Sequence, residues 1–208
     1  MRMALKGPNT GIVSTARTGD REKHFNWVGP FMSGQNCIYK LASREDIDII
    51  DIASASNYVM GASTDSAYDK VLSTLGFEDG NNLKRYDGKY SKVRPFAAQR
   101  VDLIVASAHS IEMQLATADL SLSDVVPVAK IDNTLLSGNY LAVHPAIDNE
   151  VVSRLQSALD KLFSSGAAQE IEFEYVKPIK MTTPKGIDEI LWNACMKEDS
   201  HIGLSVNK

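Results

Sequence analysis

Residues 12–31 read IVSTARTGDREKHFNWVGPF, and the fold is decided by how this stretch is read. It opens on the β-branched pair Ile12 and Val13, after the loop residues Gly7, Pro8, Asn9 and Gly11, so it predicts a short strand. Thr18, Gly19 and Asp20 break that strand, because Gly and Asp favour turns and Thr or Asp can cap a helix. Arg21 follows at once, placed to lean back over the strand's end. Phe25 and Trp27 then bring large apolar faces, and Gly29 with Pro30 closes the stretch in a second turn. A guanidinium beside backbone N–H groups at a strand-to-helix turn suits a bound carboxylate. Spacing alone favours the plainer reading, a surface arginine on a solvated turn.

Working outward, residues 1–6 read as the tail of a helix stopped by Gly7 and Pro8. Cys37, Ile38, Tyr39 and Leu41 form an apolar strand, and residues 47–52 (IDIIDI) alternate in strand fashion. A strand over 58–63 leads into a helix that starts at Thr64, Asp65 and Ser66 and stops at Gly76. Small polar residues at that start either present N–H groups to an anion or act as an ordinary N-cap. Strands are expected near 83–86, over 101–106, 124–131 and 138–143. Helices are expected over 93–100, 110–118 and 148–166, the last capped by Asp148 or Asn149, and residues 168–175 as a helix or extended segment. Beyond Pro178 one more amphipathic helix carries Ile187, Ile190, Leu191 and Ala194. Alternating strands and helices argue for an α/β sandwich with mostly parallel sheets.

The run R-T-x-x-R-E-x-x-F-x-W-V-G-P at 17–30 resembles a segment of the bacterial extracellular solute-binding proteins of family 3, the periplasmic amino-acid-binding components of ABC importers. Later landmarks keep that family's order: IYKL at 38–41, YVMG at 58–61 followed by Asp65 and Ser66, RVDLIV at 100–105, and NYLAV at 139–143. The resemblance implies a type II periplasmic-binding-protein-like fold of two α/β lobes. Lobe I would comprise residues 1–56 plus 138–208, and lobe II residues 57–137. Members of the family carry a strand, a helix and a second strand ahead of the point matching residue 1, so lobe I is expected to be incomplete at its N-terminus. An open sheet edge there would favour self-association.

By the same resemblance Arg21 grips a ligand carboxylate, with Ser14, Ala16 and Thr18 lining that pocket in the interlobe cleft. Asp65 and Ser66 complete the anion site from lobe II, and Trp27 and Phe25 either line the pocket or belong to the core. Ser107 stands where amino-acid binders carry the acid that holds an α-ammonium. A hydroxyl cannot neutralise that charge, which leaves room for another carboxylate or a small polar solute. The implied role is solute binding for ABC import, with a transporter permease as partner and a periplasmic location. The alternative is a ligand-sensing or interaction module on the same architecture, since fold alone does not separate the two.

Composition excludes other classes. With 208 residues and 44% apolar content the chain can bury a substantial core. A net charge of −4 without a basic patch speaks against nucleic acid, and no apolar run approaches the ~20 residues of a membrane span. Residues 1–11 lack the apolar core of a signal peptide. No cofactor, metal or catalytic motif emerges: His24, His109, His144 and His201 are scattered, and His109 with Glu112 reads as a surface pair. Asp102 reads as orienting the start of its strand. Cys37 and Cys195 read as two buried thiols unless the fold brings them together.

Overall fold

A continuous apolar run is what a strand needs to be buried on both faces, and Cys37, Ile38 and Tyr39 within Asn36–Leu41 supply one. In the computed structural model, which describes residues 4–32, 35–64, 66–88, 90–131, 136, 138–168, 170–171, 182–183 and 186–196, this strand lies inside a five-stranded sheet. Numbering strands along the chain gives β1 (Gly11–Ala16), β2 (Asn26–Met32), β3 (Asn36–Leu41), β4 (Met60–Ser63), β5 (Leu83–Tyr86), β6 (Leu103–Ser107), β7 (Val125–Ile131) and β8 (Asn139–Val143). The helices are α1 (Asp69–Thr74), α2 (Val93–Ala97), α3 (Ile111–Leu115), α4 (Asn149–Ser164) and α5 (Glu189–Cys195). The described residues fall into two compact units, one drawn from Met1–Gly34 and Asn133–Pro178, the other from Gln35–Asp132 and Ile179–Asp199.

The larger unit is built on the sheet β5-β4-β6-β3-β7. β4 pairs parallel with β5 and β6, while β3 is antiparallel to both β6 and β7, so four strands run one way and β3 opposes them. The smaller unit's sheet, β1-β8-β2, is antiparallel throughout. The expectation of mostly parallel sheets therefore applies to the larger unit alone, and the architecture is mixed α/β.

The expected lobe boundaries also shift. Residues 35–56 were expected with the first lobe, but β3 is central to the larger unit because its fully buried Cys37, Ile38 and Tyr39 need cover on both faces. The terminal segment moves with it. Trp192, Cys195 and Met196 of α5 and its end enter the core formed by Tyr39, Phe96, Ile104 and Leu115. Cys37 and Cys195 form a disulfide, correcting the reading of two buried thiols, and the Tyr39 hydroxyl donates to the Cys195 carbonyl at 2.9 Å.

Local chemistry explains where elements depart from expectation. The alternating 47–52 run is a loop: the Lys40 ammonium donates to the carbonyls of Arg44 and Ile47, and a 3-10 turn at Ala53–Asn57 follows. Lysine bonds and a turn outcompete strand pairing there, leaving Ile47 buried and Ile50 exposed. Helix α1 covers only part of the 64–76 expectation and is stopped by Gly76, whose φ of +83° suits glycine. Asp102 does orient its strand: Oδ2 accepts from the Val59 amide at 2.9 Å and Oδ1 from Arg44 at 2.8 Å, tying the start of β6 to the start of β4. Residues 4–6 form a turn rather than a helix end. Asp148 caps α4 by accepting from the Glu150 amide at 2.8 Å, yet no residue of that helix is fully buried, and Val151 and Leu155 stay exposed. Most of 168–175 and of 178–208 lies outside the described residues.

Replacing both Cys37 and Cys195 by Ser removes a cross-link that closes a loop of 158 residues. Unfolding free energy should fall by about 2–5 kcal/mol, read by chemical denaturation against the oxidised wild type.

Candidate functional site

In the smaller unit Ala16, Thr18 and Arg21, three of the residues expected around a ligand carboxylate, lie at the end of β1 and in the turn after it. That strand is irregular, its register with β8 shifting between Ile12 and Thr15. Ser14 sits at the shift with φ of 55°, a left-handed conformation that turns a side chain out of the regular alternation. Ser14 is exposed while Thr15 is buried. Past Ala16 the chain turns back, the Thr18 carbonyl accepting from the amides of Arg21 (2.9 Å) and Glu22 (3.0 Å). A 3-10 turn, Glu22–His24, then leads into β2.

Arg21 leans back over the strand it follows, donating from Nη1 to the Ala16 carbonyl at 3.1 Å. Arg21 is thus held against Ala16 with Thr18 in the turn between them, while Ser14 lies two residues earlier on β1. Phe25 is core, packed with Ala4 and Ala142. Trp27 is half-buried, edge-on to Phe25 (5.7 Å between centroids) and to Tyr140 (5.9 Å). Its indole Nε1 is buried and meets no acceptor among the described residues.

Arg17 was missed by the sequence reading, which treated it only as part of a motif. Its guanidinium pairs with Glu22, Nε to Oε2 at 2.8 Å, and lies over the rings of Trp27 (5.8 Å) and Tyr140 (5.5 Å). The bond from Arg17 holds the Glu22 carboxyl below its ordinary range, and the same bond raises Arg17. The turn therefore carries two guanidiniums, one bonded to a carboxylate and one leaning on a strand carbonyl. Gly29 fixes the far side: its amide donates to Gln156 Oε1 at 2.9 Å, and a Cβ there would meet Tyr140 Cδ1 at 2.9 Å.

In the larger unit the expected residues have local tasks. Asp65 lies outside the described residues. Ser66 Oγ accepts from the Tyr68 amide at 3.2 Å, and the Ser66 carbonyl accepts from Asp69 at 3.3 Å, an arrangement that starts α1. The Ser107 hydroxyl pairs with that of Ser110 at 2.7 Å, and Gln114 Nε2 donates to Ser110 at 2.8 Å. Gln114 is 5% exposed, and among the described residues its Oε1 meets no donor.

The same sheet end holds groups that sequence reading did not single out. The Tyr68 hydroxyl donates to Asn36 Oδ1 at 2.8 Å, and Asn36 stands opposite Ser107 in the β3–β6 register. Lys92 is 4% exposed, its ammonium donating to the Val105 carbonyl and lying 5.7 Å from the centre of the Tyr68 ring. Burial brings the Lys92 pKa down to about 8 and raises that of the Tyr68 phenol. A lysine in the polar stretch 88–92 reads as solvated, so only packing reveals it. Among the described residues no three His, Cys, Asp or Glu side chains gather as for a metal, and no helix is long and apolar enough to cross a membrane.

With its folded-state pKa depressed, Lys92 binds less proton in the folded than in the unfolded chain between about pH 8 and 10.5. Its contribution to stability is therefore fully present above 10.5 and is lost as pH falls through 8. The stability of wild type minus that of Lys92→Met should rise across this window in denaturant titrations; a flat difference would place the ammonium in water.

No family model matches the sequence, and no curated protein matches it. Solved structures do. An ancestral arginine-binding protein bound to arginine superposes with a TM-score of 0.62 at 16% identity, over 78% of this chain and 69% of that one. An arginine transport-system periplasmic binding protein from Legionella pneumophila gives 0.62 at 14%, over 79% and 72%. A histidine kinase sensor domain with similarity to periplasmic binding proteins gives 0.67 at 18%, over 87% and 76%. The chain thus has the fold of the periplasmic binding proteins.

Proposed function

We propose that this chain is a solute-binding domain that takes a small carboxylate-bearing or polar solute, an amino acid among the candidates, at the Arg21 turn. The observation that carries this reading is Arg21 itself. A guanidinium docked on the Ala16 carbonyl has its plane set before a ligand arrives, and planar, oriented donors suit a carboxylate's two oxygens. Thr18 in the same turn supplies a hydroxyl of the kind that completes such a site, and Ser14 on β1 is the other candidate. The similar structures that bind arginine support the choice of ligand class. The chemistry assigned to the turn is binding, with no bond made or broken.

Two settings suit such a domain. In the first it delivers solute to an ABC transporter permease in the periplasm, a setting in keeping with a disulfide, since cross-links persist where thiols are oxidised. In the second it senses the solute as part of a signalling protein, and the likeness to a histidine kinase sensor domain favours this second reading. Self-association through the exposed Val151 and Leu155 of α4 belongs to either setting.

The binding claim is tested by thermal unfolding of wild type and Arg21→Ala with glutamine, arginine, glutamate and succinate. A ligand at a hundred times its Kd should stabilise wild type by about 2.7 kcal/mol. Arg21→Ala should lose that gain while its unliganded melting temperature stays within a few degrees of wild type. Equal stabilisation of both proteins would refute the assignment.

A further inference from the structure

We infer that Arg17 is a positioning residue for the Arg21 turn, clamping it to the sheet of the smaller unit so that Arg21 meets a ligand already oriented. This rests on the reading of Arg21 as the carboxylate anchor and extends it to a residue that acts through the turn. β1 and β2 both run antiparallel to β8, one on either side of it. Residues 17–25 therefore cross a face of the sheet, from the Asn139 end of β8 to its Val143 end. No ladder holds such a crossing. Among the described residues its backbone bonds are internal: the Thr18 carbonyl accepts from Arg21 and Glu22, and the Arg21 carbonyl from His24. Where the crossing sits on the sheet is left to side chains.

Phe25 anchors the far end, buried against Ala142 and edge-on to Trp27. Gly19, Asp20, Lys23 and His24 in between are exposed. Arg17 anchors the near end. Its Nε donates to Glu22 Oε2 at 2.8 Å and its Nη2 to Oε1, a two-pronged bond that fixes the guanidinium plane. The same guanidinium lies 5.8 Å from the centre of the Trp27 ring and 5.5 Å from that of Tyr140, on the neighbouring strands β2 and β8. Glu22 directly follows Arg21, so tying its carboxylate to those rings restricts the backbone from which Arg21 reaches the Ala16 carbonyl. Forking onto a carboxylate while lying on rings needs a planar guanidinium, and an ammonium cannot fork. The side chains of Arg17 and Glu22 are 38% and 48% exposed, so the pair adds little to global stability and acts on the order of the turn.

The test measures Kd for glutamine, arginine, glutamate and succinate by calorimetry, with melting temperature, for wild type, Arg21→Ala, Arg17→Met, Arg17→Lys and Glu22→Ala. Amide exchange of Arg21 and Glu22, which both donate to the Thr18 carbonyl, is followed without ligand. For each probe that wild type binds, Arg17→Met and Glu22→Ala should both raise Kd about tenfold, as when the competent fraction of the turn falls to about a tenth. Arg17→Lys should not restore it. Exchange at the two amides should quicken, while melting temperatures stay within a few degrees of wild type. Charge alone predicts otherwise: Lys would restore binding, and removing the Glu22 carboxylate would tighten succinate. Either of those results, or wild-type Kd or wild-type exchange in Arg17→Met, overturns the proposal while loss of binding in Arg21→Ala leaves the anchor standing. Wild-type binding by Arg21→Ala, or no binding of any probe by wild type, overturns the anchor and the positioning role with it. Should Arg17→Met fail to fold, Glu22→Ala, at an exposed position, decides by the same readouts.

Discussion

The cross-link between Cys37 and Cys195 joins residues 158 apart in sequence at the centre of the larger unit. It seats the end of α5 on β3, the strand through which the rest of that sheet is ordered. Trp192 fills the same core, and the Tyr39 hydroxyl is satisfied by the Cys195 carbonyl. In the buried setting that α5 helps to create, the Cys195 carbonyl offsets the desolvation of the Tyr39 phenol. Strand β3 in turn sets the registers of β6 and β7, and so positions Asn36 and Ser107 at one sheet end.

The smaller unit achieves its geometry by a different device. A strand that loses its register at Ser14, followed by a turn whose Thr18 carbonyl collects two amides, brings Arg21 back over Ala16. The aromatic group of Phe25, Trp27 and Tyr140 then holds Arg17 beside it. The known structures that share this chain's fold include both binding proteins and a sensor domain, so delivery and sensing are uses of one architecture.

Much of this was legible in the sequence because the signals were local. The break at residues 18–20, the strand at 101–106, the cap at Asp148 and the glycine stop at Gly76 all act within a few residues. Asp102 was read correctly as an orienting group. What escaped depends on contacts distant along the chain. The side of the molecule to which β3 belongs is set by pairing with β6 and β7, residues more than sixty positions away. The pairing of the two cysteines needs α5 to cross into that core. The 47–52 alternation misled because Lys40, in the preceding strand, claims the Ile47 carbonyl. Nothing in the sequence singled out Lys92, whose neighbours in space, Tyr68 and Val105, are not its neighbours along the chain.

The central claim is that the turn around Arg21 receives the ligand carboxylate. The most direct measurement is an amide chemical-shift titration of isotopically labelled protein with glutamine, arginine, glutamate and succinate in turn. At least one should shift the amides of Ser14, Ala16, Thr18 and Arg21 in a saturable way, with other β1 and β2 residues changing less. Saturable shifts confined to residues away from that turn, or none with any of the four, would contradict it.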